Sequence, residues 1–289
     1  MTTLRPRRSV LYMPGSNARA LEKARTLPAD ALILDLEDAV APDAKDLARS
    51  QVCDAVKARG FGKREIVIRV NGLSTPWGEA DLAAAAEAKP DAILVPKISA
   101  GSELNVIESK LGPADRSIAV WAMVETPLAI LNIASIASAG GRLACFVMGT
   151  NDLIKEIRGV HTQDRMNLSA ALGLSVLAAR ANGIAVIDGV YNDIQNADGF
   201  KAACEQARAF GFDGKTLIHP SQVEPCNAVF APSADEVEAA RKLIAAFALP
   251  ENKGKGAIKL DGRMVELLHA QIARQTVAMA DAIAALEAA

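Results

Sequence analysis

Ala31-Leu32-Ile33-Leu34-Asp35-Leu36-Glu37-Asp38 is a short aliphatic run that ends in acid. Too short for a helix of its own and apolar on both faces, it reads as a strand of a parallel sheet covered on each side. The same signature recurs along the chain. Strands are expected at Ser9–Met13, Ala31–Leu36, Glu65–Val70, Ala92–Pro96, Ile118–Val124, Ala144–Met148, Ile184–Ile187 and Thr216–Ile218. Between and after them, amphipathic stretches predict helices at Ala18–Leu27, Asp43–Arg59, Trp77–Ala88, Ser102–Lys110, Pro127–Ser138, Asn167–Asn182, Ala197–Phe210 and Ala234–Phe247. Pro127 suits a first helical turn, where its missing N–H costs nothing. Gly60, Gly183 and Gly211 stand just past helix ends, where a left-handed residue is wanted.

Eight strands alternating with eight helices give an α/β fold, a (β/α)8 TIM barrel; an open doubly wound sheet is the alternative. Polar clusters follow nearly every strand instead of gathering at one switch point, which favours the barrel. Residues 1–250 are assigned to it. Residues 251–289 are read as a C-terminal linker and helical extension, a lid or oligomer arm, with a Gly/Lys-rich stretch from Glu251 to Gly262 and a final helix of about 24 residues from Met264.

Composition narrows the function. The 289 residues are 51% hydrophobic but only 4% aromatic, so the core is aliphatic, and 32 basic against 34 acidic residues give a net charge of −2. Basic residues are scattered apart from Arg5 to Arg8, which argues against nucleic acid. No apolar run reaches the ~18 residues of a membrane span, and no secretory h-region follows the basic cluster. Cys53, Cys145, Cys204 and Cys226 lack metal or disulfide spacing, which predicts a reducing cytoplasm.

The strand ends carry the chemistry: Pro14-Gly15-Ser16-Asn17, Asp35-Leu36-Glu37-Asp38, Arg69-Val70-Asn71, Pro96-Lys97, Glu125-Thr126-Pro127, Gly149-Thr150-Asn151-Asp152, Asp188 to Asp193, and His219-Pro220-Ser221. In a barrel these ends converge on one face. A mouth rich in carboxylates without paired His or Cys favours a hard cation. Glu125 and Asp152, ending adjacent strands, are either metal ligands or acids complementing helix dipoles. Arg69 is a substrate-facing charge or a rim ion pair with Glu37 or Asp38. Lys97 is a Schiff-base lysine or a rim charge; His219 is a general base or a structural histidine.

Several segments in order carry a resemblance: Arg8 to Asn17, Leu34 to Val40, Ile68-Arg69-Val70-Asn71, Val95-Pro96-Lys97, Val124-Glu125-Thr126-Pro127, Gly149 to Leu153, and Gly211 to Lys215 through Ile218 to Gln222. Over residues 8 to 275 the chain resembles the HpcH/HpaI aldolase and citrate lyase family, in its citrate lyase beta-subunit-like and malyl-CoA lyase branch. That resemblance implies a Mg2+-dependent (Mn2+ being the substitute) carbon–carbon lyase. It would cleave a 3-hydroxyacyl-CoA of citramalyl, malyl or citryl type to acetyl-CoA or a homologue plus a 2-oxo acid. Glu125 and Asp152 match the metal ligands and Arg69 the arginine on substrate oxygens. Tyr12, Lys23 and the Pro14 to Asn17 loop match the region that binds the thioester substrate, with Glu37 and Asp38 in support. The chain departs from the pattern where Glu266, after Gly262-Arg263-Met264-Val265, replaces an Asp assigned as acid/base; Glu266 is therefore the expected catalytic acid. A homo-oligomer, trimer or hexamer, is implied too. Alternatives are a metal-dependent aldolase on free 2-oxo acids without CoA, and the citryl-thioester lyase subunit of a citrate lyase complex.

Overall fold

The computed structural model describes residues 4–112 and 116–288. Eight parallel strands close into a barrel in sequence order: β1 Ser9–Pro14, β2 Ala31–Asp35, β3 Glu65–Arg69, β4 Ala92–Val95, β5 Ala119–Val124, β6 Leu143–Met148, β7 Ala185–Asp188 and β8 Gly214–Leu217. The helices between them are α1 Ala18–Ala24, α2 Lys45–Ala58, α3 Gly78–Ala88, α4 Gly101–Leu111, α5 Pro127–Leu131, α6 Ile133–Ala137, α7 Thr150–Glu156, α8 Ser169–Asn182 and α9 Ala197–Phe210, with α10 Val223–Phe230 after β8. The barrel expectation holds, and Gly60, Gly183 and Gly211 all have positive φ. Arg7–Phe230 forms one compact unit, and the chain from Ala231 belongs to a second.

Strand side chains alternate between two faces, and here each face has its own apolar cluster. Val10, Ile33, Val67, Leu94, Trp121, Met123, Val147 and Ile187 fill the barrel interior. Their neighbours Leu11, Leu32, Leu34, Ile68, Ile93, Val124, Phe146 and Val186 pack outward with the helices. Tyr12, Asp35, Arg69, Glu125 and Gly149 stand two residues beyond interior residues of their own strands, so the same alternation aims them at the mouth.

Three local expectations are corrected. The single helix Pro127–Ser138 is two, α5 and α6, because Asn132 leaves helical backbone (φ −100°, ψ 8°) and donates from Nδ2 to the Ser99 carbonyl at 2.9 Å. Ala234–Phe247 is not the helix that follows β8: α10 takes that place, and α11 Ala234–Ala248 lies in the C-terminal unit. Met264 does not start the final helix. It lies in a hairpin, β9 Ala257–Leu260 with β10 Arg263–Glu266, and α12 runs Leu267–Glu287. Asp261 (φ 49°) and Gly262 (φ 80°) form its turn, an Asp-Gly signal for a type I′ hairpin. Within the C-terminal unit, Phe247, Ile258 and Ala270 make a small core. No described helix is long and apolar enough to cross a membrane, and all four cysteines are free and buried.

The strand register pairs Asp188 with Lys215, and their side chains meet at 2.6 Å with no exposure of either residue. Arg165 gives both carboxylate oxygens a further bond at 2.8 Å. Burial raises the Asp188 pKa, but Lys215 and Arg165 overcome it and hold the carboxyl below its ordinary range. Its stabilising contribution is therefore present at neutral pH and lost as pH falls through that depressed pKa. Removing it strands a buried ammonium: Asp188→Ala should destabilise the fold by about 3–5 kcal/mol in urea unfolding at pH 7.

Candidate active site

Arg69 ends β3 and is 5% exposed. Its Nε and Nη2 donate to the two oxygens of Asp35 at 2.6 and 2.7 Å. Asp35 ends β2 directly opposite in the register and also accepts the backbone N–H groups of Glu37 and Ala39, at 2.9 and 3.0 Å. Arg69 Nη1 lies 2.8 Å from Glu37 Oε2 and 3.6 Å from Asp38 Oδ2. The first contact is an ion pair without the alignment of a hydrogen bond. The expected pairing with Glu37 or Asp38 is thus present but secondary, and the dominant partner is Asp35. Burial opposes the Arg69 charge, and Asp35, Tyr12 and Glu37 more than compensate, so its pKa is raised.

Glu125 follows β5 and is 1% exposed. Lys97 holds a left-handed backbone (φ 56°) and directs its N–H at Glu125 Oε1, 2.8 Å away. On the other side a Cβ on Gly149 would collide with Glu125 Cβ and lie 2.5 Å from Oε2. Glycine is required there so that the carboxylate can stand in the mouth. Burial, then the charges of Glu37 and Asp152, push the Glu125 pKa up to about 8, against the lowering effect of the Lys97 N–H and Arg69. Glu37 is raised to about 7, by burial first and by Asp38 and Asp35, with Arg69 opposing. Asp152 sits in the first turn of α7, a helix the sequence reading left out.

A cavity of about 310 Å³ lies beside these groups, with Tyr12, Asp35, Asp38, Arg69 and Asp152 among its lining residues and Glu37 and Glu125 not among them. Met123, Met148, Val190 and Ile218 supply an apolar wall. Among the described residues no three His, Cys, Asp or Glu side chains gather as a complete metal cage. Two carboxylates with room beside them suit a hard cation that keeps open positions for substrate and water. Such a cation would offset both the burial and the neighbouring charges that raise Glu125.

Within the barrel unit, two further candidate residues lie elsewhere. Lys23 is exposed on α1 and is not among the cavity-lining residues. His219 caps the turn Pro220–Gln222, with Nδ1 2.7 Å from Ser221 Oγ, a structural arrangement. Glu266 caps α12 in the C-terminal unit; its backbone N–H donates to His269 Nδ1 at 3.0 Å. One network went unforeseen. Lys45, 5% exposed, donates to the Leu36 and Glu37 carbonyls and to Asn71 Oδ1 at 2.7–2.8 Å. Asn71 donates to Asp81 at 2.6 Å, and Asp81 accepts from Arg49 at 2.6 Å. This chain pins the loop that carries Glu37. A lysine and an arginine one helical turn apart on α2 signal only a solvated face; the carbonyls they reach emerge on folding.

A model of the HpcH/HpaI aldolase/citrate lyase family matches residues 8–220. A (3S)-malyl-CoA thioesterase of Cereibacter sphaeroides (strain KD131 / KCTC 12085) is 53% identical over 283 residues, 98% of each chain. Citrate lyase subunit beta of Escherichia coli (strain K12) is 34% identical over 269 residues, 91% of this chain and 89% of that one. Among solved structures, CitE from Mycobacterium tuberculosis in complex with magnesium, acetoacetate and coenzyme A has a TM-score of 0.76 at 27% identity. The match covers 97% of this chain and all of that one.

The raised Glu125 pKa has a measurable sign. Between about 4.5, its ordinary value, and about 8, the folded chain keeps a proton that the unfolded chain releases. Metal-free protein should therefore lose stability as pH rises through that window. Melting temperatures in chelator across pH 5–9 should fall more steeply for wild type than for Glu125→Gln, which keeps the shape and cannot ionise. Parallel curves would place Glu125 in a less crowded environment than its burial implies.

Proposed function

The chain belongs to the HpcH/HpaI aldolase/citrate lyase family, and we propose that it is a Mg2+-dependent enzyme hydrolysing a malyl-type 3-hydroxyacyl-CoA thioester. The 53% identity over nearly the whole of both chains to a (3S)-malyl-CoA thioesterase carries the choice of substrate and reaction. The mouth supports it with a carboxylate pair for the metal and a buried cation beside a cavity sized for a small acid. CitE, crystallised with magnesium and coenzyme A, supports the same ion and thioester class.

Glu125 and Asp152 would hold the metal, and Lys97 N–H with Gly149 positions the Glu125 carboxylate for it. When bound, Mg2+ supplies Lewis-acid polarisation of substrate oxygens. Arg69, immobilised by Asp35, adds fixed positive charge where the thioester oxygen becomes negative. Glu37, raised to about 7, takes the proton of the attacking water and returns it to the sulfur of the departing CoA as the C–S bond breaks, and Asp38 supports the charge balance at the rim. Lys23 contributes to holding the CoA portion.

Carbon–carbon cleavage is the second reading. It is favoured by the 34% identity to citrate lyase subunit beta. In that reading Glu266 is the acid that protonates the enolate. A homo-oligomer, trimer or hexamer, rests on the family resemblance; Leu131, 83% exposed on α5, and Leu177, 68% exposed on α8, are apolar surface that such an assembly could cover.

Purified protein with Mg2+ and (3S)-malyl-CoA distinguishes the reactions. Hydrolysis releases free CoA thiol and malate; cleavage releases acetyl-CoA and glyoxylate in equal amounts and no thiol. Thiol without glyoxylate is the expected result, glyoxylate without thiol transfers the assignment to the lyase reading, and turnover of free acids alone would point to an aldolase. Glu125→Ala and Asp152→Ala should each lose at least about 100-fold in rate along with Mg2+ binding by calorimetry, and chelator should abolish activity reversibly. Glu266→Ala should lose about 100-fold or more if it is the acid; a few-fold loss would remove it from the mechanism.

A further inference from the structure

The two carboxylates read as metal ligands are held in different ways. Glu125 receives the Lys97 N–H and stands in the space that Gly149 leaves open. The Asp152 carboxylate, among the described residues, makes no hydrogen bond or ion pair of its own. Its direction therefore follows from the first turn of α7. That helix has seven residues, and its N-cap, Gly149, brings no side chain to fix the turn.

The loop after β7 fixes it instead. A Cβ on Gly189 would lie 2.5 Å from Thr150 Oγ1 and 2.9 Å from the Met148 carbonyl oxygen, so the loop backbone sits directly on the residue that opens α7. Asn151 and Asn192 then join their amides in both directions. Asn192 Nδ2 donates to Asn151 Oδ1 at 2.8 Å, and Asn151 Nδ2 donates to Asn192 Oδ1 at 3.2 Å. Both asparagines and Asp152 line the cavity. The loop that carries Asn192 is itself anchored. Asp188, at its start, is bonded by Lys215 and Arg165. The Asp188 carbonyl accepts from Thr216 Oγ1, and the Tyr191 carbonyl from Gln222 Nε2, each at 3.0 Å.

Fold stability gives little reason for the amide pair. Both residues are exposed, and an exposed hydrogen bond replaces water with small net gain. What the pair restricts is the first turn of α7, and with it the direction of Asp152. Cations differ in how much that direction matters. Mg2+ demands near-ideal octahedral geometry with short bonds, whereas Ca2+ accepts longer bonds and variable shells.

We propose that Asn192 is a positioning residue: its amide clasp on Asn151 fixes Asp152 closely enough for the site to select Mg2+ over Ca2+. The proposal rests on the reading of Glu125 and Asp152 as metal ligands.

The test is calorimetric titration of the full chain with Mg2+ and, separately, with Ca2+, in wild type, Asn151→Ala, Asn192→Ala and the double variant. Asn192→Ala should bind Mg2+ about tenfold more weakly, as for loss of a residue that orients a metal ligand. Its Ca2+ affinity should fall much less, so the preference for Mg2+ narrows. The double variant should bind no more weakly than either single one, because each change already opens the same clasp. Without metal, Asn192→Ala should melt within about 2 °C of wild type, as for an exposed substitution.

Four results overturn the assignment while leaving the metal reading in place. They are unchanged Mg2+ affinity in Asn192→Ala, equal losses for the two cations, single losses that multiply in the double variant, and a metal-free variant that melts well below wild type. Equal losses would mark a weakened site without lost alignment, and a low melting temperature would mark a role in the fold. Wild type that binds neither cation would sink the metal reading and the clasp together.

Discussion

The buried pair of Asp35 and Arg69 sets the electrostatics of the mouth. A guanidinium with 5% exposure persists only because a carboxylate meets it with two parallel bonds. Asp35 in turn accepts two backbone N–H groups, so its acceptor capacity is used on both sides. Glu37 and Asp38, which follow in the same loop, are drawn to the remaining edge of Arg69. With Glu125 and Asp152 across the cavity, the mouth then holds more carboxylate than its cation can balance. Burial first, and this excess after it, raises the Glu37 and Glu125 pKa values. A site of this charge is incomplete as protein alone, which is the physical reason to place a divalent cation in it.

The barrel makes that crowding possible. Alternation along each strand projects Tyr12, Asp35, Arg69, Glu125 and Gly149 from the inward faces, while the outward faces pack on helices. Closure brings the ends of β1, β2, β3, β5 and β6 to one opening although the residues lie far apart in the chain. The second layer of support is as specific as the first. Lys45 holds the carbonyls beneath Glu37, and Asn71 with Asp81 and Arg49 holds Lys45. Lys97 adopts a left-handed backbone to present its N–H to Glu125. Strain of this kind at a functional position persists where the surrounding fold over-determines it.

Much of this was legible in the residues. The eight aliphatic runs gave the strands, and Gly60, Gly183 and Gly211 marked helix ends. The acids and bases after each strand located the mouth, including Arg69, Glu125 and Asp152. The misreadings were local in origin. Helical periodicity continues smoothly through Asn132, yet its side chain finds the Ser99 carbonyl and the helix breaks. The Asp261-Gly262 turn was a hairpin signal of two residues set against the longer helical pattern from Met264.

What the sequence determined by itself is the repeating order of strands and helices, because side-chain periodicity and turn chemistry act over a few neighbouring residues. It also determined which polar groups stand at strand ends. Tertiary structure alone decided their partners. The Arg69 charge is taken up by Asp35 because the register places them opposite one another, and Glu125 is accommodated because Gly149 leaves its space open. Lys97 serves through its backbone N–H, and Tyr12 is left with a hydroxyl that no neighbour satisfies. Each of these depends on distances between segments that are remote in the chain, and such distances exist only once the barrel has closed.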